Sequence, residues 1–82
     1  MALTLPYNVG DKLYVVESTE DLPFPMDKYI IRDYIIQSIL ITKDTIIVTD
    51  EYGHRIDMKD FNKTIFVYKG MAEQVRNRLI AE

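Results

Sequence analysis

The chain has 82 residues, a formal net charge of −3, one histidine, and neither cysteine nor tryptophan. That length holds one small domain, and the lack of cysteine excludes disulfide frameworks, thiolate zinc sites, iron–sulfur clusters and thiol nucleophiles. A hydrophobic content of 48% argues for a folded chain, and no uncharged run approaches the ~18–20 residues of a membrane span.

Ile, Val and Thr make up 23 residues against 3 glycines, an excess that favours β-structure. Residues 1–8 lack periodicity and carry Pro6, so they read as an N-terminal arm. Val9-Gly10-Asp11-Lys12 is a turn signal before the strand Leu13-Tyr14-Val15-Val16. Glu17 to Lys28 reads as a loop, because Pro23 and Pro25 fix φ and remove backbone donors. Tyr29 to Thr42 is the longest strand, with a bend or bulge expected at Arg32-Asp33. Lys43-Asp44 then turns a tight hairpin into Thr45 to Thr49. Asp50 to Gly53 is a second turn, His54 to Met58 a short strand, and Thr64 to Tyr68 the last strand. From Met71 the period changes: Ala72, Val75 and Leu79 form the apolar stripe of a helix, with Gly70 expected at its N-cap and Glu73 in its first turn.

The expected fold is mainly β within the α+β class, a small SH3-like antiparallel barrel of about five strands with a C-terminal helix. The expected organisation is a single domain over 1–82, with an arm at 1–8, the barrel at 9–69 and the helix at 70–82. Several strands are apolar on both faces: Leu13 and Val15 oppose Tyr14 and Val16, and Ile65 and Val67 oppose Phe66 and Tyr68. One face fills a barrel, and the other needs cover. The C-terminal helix, helped by Leu3, Leu5 and Tyr7 of the arm, is the expected cover. A residual apolar patch is expected beyond it, and such patches mark protein contacts or self-association.

Catalytic chemistry has little to build on. His54 stands beside a turn, where a surface histidine is the expected reading, and Asp50, Glu51 and Asp57 are near it only in sequence. One histidine without cysteine offers no zinc set, no segment has calcium-loop spacing, and three isolated glycines make no phosphate loop. No catalytic residue, metal ligand or cofactor is assigned.

Charge is uneven. Residues 1–27 sum to −4, and Glu20, Asp21, Phe24 and Met26 form an acidic loop with apolar tips. That loop contacts a basic protein partner, or Phe24 and Met26 fold back to close the barrel. Residues 59–82 sum to +2 through Lys59, Lys63, Lys69, Arg76 and Arg78, a candidate nucleic-acid surface or an ordinary solvated face.

The segment Asp60-Phe61-Asn62-Lys63-Thr64-Ile65-Phe66-Val67-Tyr68-Lys69-Gly70-Met71-Ala72-Glu73 resembles a pattern in small phage- or prophage-associated proteins of Gram-positive gut bacteria. There it reads Gly-Lys-Thr-Val-Phe-Leu-Thr, then charged residues, Ala and a short helix. Ile36-Gln37-Ser38-Ile39 and Val9-Gly10-Asp11-Lys12-Leu13 are similar too. Asn62 stands where Gly is usual, Tyr68 where a capping Thr is expected, and Gly70-Met71 where an acidic pair would start the helix. The resemblance implies a small β-rich protein ending in a helix and brings no catalytic residues. Without tryptophan or an Ala-Leu-Tyr-Asp-Tyr pattern, polyproline recognition does not carry over.

The expected function is therefore a non-enzymatic accessory or interaction protein of mobile-element origin, acting through contact with a protein partner or as a homodimer. The alternative is a nucleic-acid-associated module using the basic C-terminal residues. With no signal peptide or membrane span read in the sequence, the expected location is cytoplasmic.

Overall fold

At Gly10 the backbone takes φ 95°, open to glycine at little cost, and turns the chain into β1 (Lys12–Ser18). The turn is fastened to the neighbouring strand: Gly10 donates to the Ile36 carbonyl at 2.8 Å, and Ile36 donates to the Asp11 carbonyl at 2.9 Å. The computed structural model describes residues 5–20 and 28–82.

β2 (Tyr29–Ile41) is the spine of the fold. Its first half pairs antiparallel with β1, from Tyr29 opposite Ser18 to Ile35 opposite Lys12. Its second half pairs with β3 (Ile46–Asp50), from Ile36 opposite Asp50 to Ile41 opposite Ile46. The register shifts between Ile36 and Ser38, so the bulge falls at Gln37 rather than at Arg32-Asp33. Arg32 and Asp33 instead sit in regular pairing opposite Val15 and Tyr14, where each finds an ion-pair partner and no break is required. The bulge comes where β2 changes partners, and the added twist curls the sheet.

The Lys43-Asp44 hairpin forms as expected, held by the Thr42 amide on the Thr45 carbonyl at 2.9 Å and by paired threonine hydroxyls at 2.7 Å. After the Asp50–Gly53 turn, with Gly53 at φ 87°, comes β4 (Arg55–Asp57), and a 3-10 turn follows at Met58–Asp60. Asn62 has φ 68°, a left-handed conformation that Asn tolerates better than most side chains.

β5 is only Ile65–Phe66, shorter than the expected Thr64 to Tyr68, because the chain must leave the sheet to start its helix. The helix, α1 (Lys69–Ala81), is capped by Tyr68 without a side-chain hydrogen bond. Gly70 thus lies inside the first turn and is not the N-cap, and Glu73 falls in the second turn. Among the described residues the sheet order is β4-β3-β2-β1-β5, an SH3-like half-barrel of five antiparallel strands with one C-terminal helix. No helix among the described residues is long and apolar enough to cross a membrane.

Both faces of the sheet are packed. The concave core gathers Leu13, Ile36, Val48, Met58 and Ile65 around Tyr7, whose ring meets Phe61 edge-on at 5.0 Å. The convex core holds Val16, Phe66 and Ala72, with Tyr14, Ile31, Val75 and Leu79 beside them. The helix is therefore the cover for the second apolar face over β1, β5 and the first half of β2. The arm does not assist it: Leu5 and Tyr7 plug the concave side instead. Leu3 lies outside the described residues.

Candidate protein-contact face

Register fixes which side chains share the convex face, since directly paired residues project to the same side. Along β2 these are Ile31, Asp33 and Ile35, and past the bulge Ser38 and Leu40, with Leu40 opposite Ile47 of β3. Thirteen helical residues span about 20 Å, whereas thirteen strand residues run about 40 Å. One helix cannot cover such a strand. Ile35 is 38% exposed and Leu40 53%, which leaves an apolar strip beside the helix. Ile41 is 49% exposed as well, but its pairing with Ile46 places it at the concave end near the hairpin.

Where α1 meets the sheet, the convex face carries a groove of about 590 Å³ lined by Tyr14, Ile30, Ile31, Asp33, Lys69, Glu73 and Arg76. Lys69, Glu73 and Arg76 come from successive turns of one side of the helix. Asp33 is bound at 3.5 Å by Lys12. Groove and strip are continuous along β2 through Ile31, Asp33 and Ile35.

The concave face ends in a polar cluster that sequence reading did not reveal. Glu17 accepts from the Arg32 guanidinium at 2.9 Å and from the Tyr34 hydroxyl at 3.0 Å. Burial, then the Glu17 hydrogen bond and charge, raise the Tyr34 phenol above its ordinary value, against a smaller opposing effect of Arg32. The two-residue spacing of Arg32 and Tyr34 puts them on one face, but only the β1–β2 register brings Glu17 to them. Beside them His54 is 65% exposed on its side chain, and its Nδ1 meets the buried Asp50 carboxylate at 2.9 Å. Asp50 is thus a spatial partner of His54 and not merely a sequence neighbour. The same carboxylate accepts the backbone N–H groups of Tyr52 at 3.0 Å and His54 at 2.7 Å, so its work is to hold the β3–β4 turn.

Burial pushes the Asp50 carboxyl up, but the hydrogen bonds from the His54 ring and from the His54 and Tyr52 amides outweigh it and hold the group below the usual carboxylate range. A depressed folded-state value gives stability that is present above the unfolded value of about 3.9 and is lost as pH falls through the folded one. Melting temperatures followed by circular dichroism from pH 6 to pH 2 are expected to fall more steeply for the parent than for Asp50→Asn. Parallel acid limbs would contradict this role.

The acidic loop is placed only in part. Glu20 is exposed just past β1, its amide donating to the Ser18 hydroxyl at 3.3 Å, while Asp21, Phe24 and Met26 lie outside the described residues. The basic residues are divided. Lys69 and Arg76 line the helix groove, and Lys59 lines a different hollow, at the tip of the β2–β3 hairpin. Lys63 stands in the turn before β5, and Arg78 is exposed in the last turn of the helix. Among the described residues no group of three His, Cys, Asp or Glu could hold a metal ion. Compared with family models, with curated proteins and with solved structures, the chain finds no match.

Proposed function

We propose that the chain is a non-enzymatic accessory protein that docks a protein partner on the convex face of its half-barrel. The observation that supports this reading is the exposure of Ile35 and Leu40 beside α1, with the half-buried Ile47 opposite Leu40, apolar side chains on a face whose other half is already packed. Solvent-exposed apolar area of this kind favours burial against a second surface at about 25 cal/mol per Å². The mobile-element origin suggested by Asp60–Glu73 fits an accessory role without catalytic machinery. A polyanion finds less here, because Lys59 stands apart from Lys69 and Arg76, and carboxylates line the groove with them.

The test is a double variant, Ile35→Asn with Leu40→Asn. Both side chains are exposed, so each change shifts stability by only about 0.5 kcal/mol. Affinity purification from the native host, with cross-linking, is expected to recover one dominant protein with the parent and to lose it with the variant. Equal recovery by both would reject the convex face as the contact.

A further inference from the structure

We propose that the groove between α1 and the convex face takes the carboxylate of an acidic residue in an extended segment of the protein partner, with Lys69 and Arg76 as its cationic wall. This rests on the docking face described above and names the chemistry that anchors it.

The guanidinium of Arg76 is the starting point. Its Nε is buried without a hydrogen-bond partner, and its Nη2 reaches only Asn77 Oδ1, at 3.3 Å. The side chain as a whole is only half-buried, so the cost falls on this one N–H, shut off from water and unpaired where buried polar groups ordinarily find acceptors. The carboxylates nearby do not serve it: Asp33 is held by Lys12, and no ion pair joins Glu73 to Arg76. An outside acceptor completes the pair. A guanidinium facing a groove is matched by a single carboxylate, which Arg binds through two parallel N–H groups once its side chain turns toward the groove, with Lys69 two turns away on the same wall adding positive charge.

The floor selects what carries that carboxylate. Tyr14 and Ile31 give the groove apolar surface, suited to the stem of an acidic side chain and its neighbours, whereas Ile30, opposite Glu17, turns its side chain to the concave face. Asp33 and Glu73 on the rim repel a string of phosphates but leave room for one negative charge. Along β2, Ile31, Asp33 and Ile35 follow at about 7 Å per pair of residues. An extended peptide with its acidic residue in the groove therefore sets apolar residues two and four positions away over Ile35 and the strip.

The experiment selects random twelve-residue peptides displayed on phage against the full chain and measures the best as a synthetic peptide by fluorescence anisotropy. Enrichment of Asp or Glu two to four residues from Leu, Ile or Phe is expected. Arg76→Gln and Lys69→Gln should each weaken binding about tenfold or more, and Glu73→Gln should tighten it. Should Arg76→Gln disturb folding, Lys69→Gln and Glu73→Gln carry the test. Unchanged affinity in these variants overturns the groove, while loss in the Ile35→Asn, Leu40→Asn variant would leave the docking face standing. No enrichment, or basic winning peptides, overturns the proposal. Tighter binding of a twelve-nucleotide single strand through Lys69 and Arg76 also overturns it, in favour of nucleic acid.

Discussion

Leu13→Ala is expected to remove about 2–5 kcal/mol of folding stability, from a domain whose total is about 4–12 kcal/mol at this length. Leu13 has no exposed surface and stands in the concave core against side chains drawn from the arm, β2, β3, the 3-10 turn and β5. β2, β3 and β5 are fixed by backbone pairing, so they cannot close freely on the space a truncated side chain leaves. β1 is also the strand through which β2 and β5 meet, and its loosening reaches the whole sheet. Urea denaturation followed by circular dichroism should show the midpoint falling sharply or no folded baseline at all. Val9→Ala, at a position 61% exposed, should stay within about 0.5 kcal/mol of the parent. Similar midpoints for the two variants would contradict a concave core organised on Leu13.

Leu13 and Val16 also show how much of this fold could be read from the sequence. The doubled apolar pattern of Leu13-Tyr14-Val15-Val16 required two covers, and the structure supplies a concave core on one side and a helix on the other. Turn chemistry was equally legible, because Gly10, Gly53 and Lys43-Asp44 act through local backbone preference. The helix start was misplaced by two residues, Tyr68 and not Gly70 being the N-cap, and the other failures were long-range. The bulge lies at Gln37 because β2 exchanges partners there, and partner exchange has no local signal. Arg32 and Asp33 looked like a break only while Glu17 and Lys12 were remote in sequence. The arm went to the concave side because Phe61 and Tyr7 pack edge-on, a contact between residues far apart in the chain. For the candidate face, an apolar remainder could be anticipated from composition. Its position on Ile35 and Leu40, and the meeting of Arg76 with Tyr14 and Ile31, needed the register and the docking of α1.

A chain ending at Tyr68 is expected not to fold, although every strand of the half-barrel lies before that point. Removal of α1 uncovers Val16 and Phe66, each almost fully buried in the intact protein. Burial of such side chains contributes about 1.5–3 kcal/mol apiece. Their loss alone takes about 3–6 kcal/mol from a total of about 4–12. Tyr14 and Ile31 lose cover in the same step, and β5, with only two residues, has little pairing to hold it once Phe66 is in water. The truncated chain should show unfolded far-UV dichroism and collapsed amide dispersion by NMR. Addition of the peptide 69–82 in excess should restore both, because the surface it covers is made by β1, β2 and β5. If the shortened chain kept a cooperative transition, the helix would be an appendage and the convex core would not be needed for the fold. The convex face beyond α1 would then differ little from the part beneath it. The expected collapse instead makes α1 the element that bounds the proposed docking face: it seals one half of the apolar surface and borders the half left open.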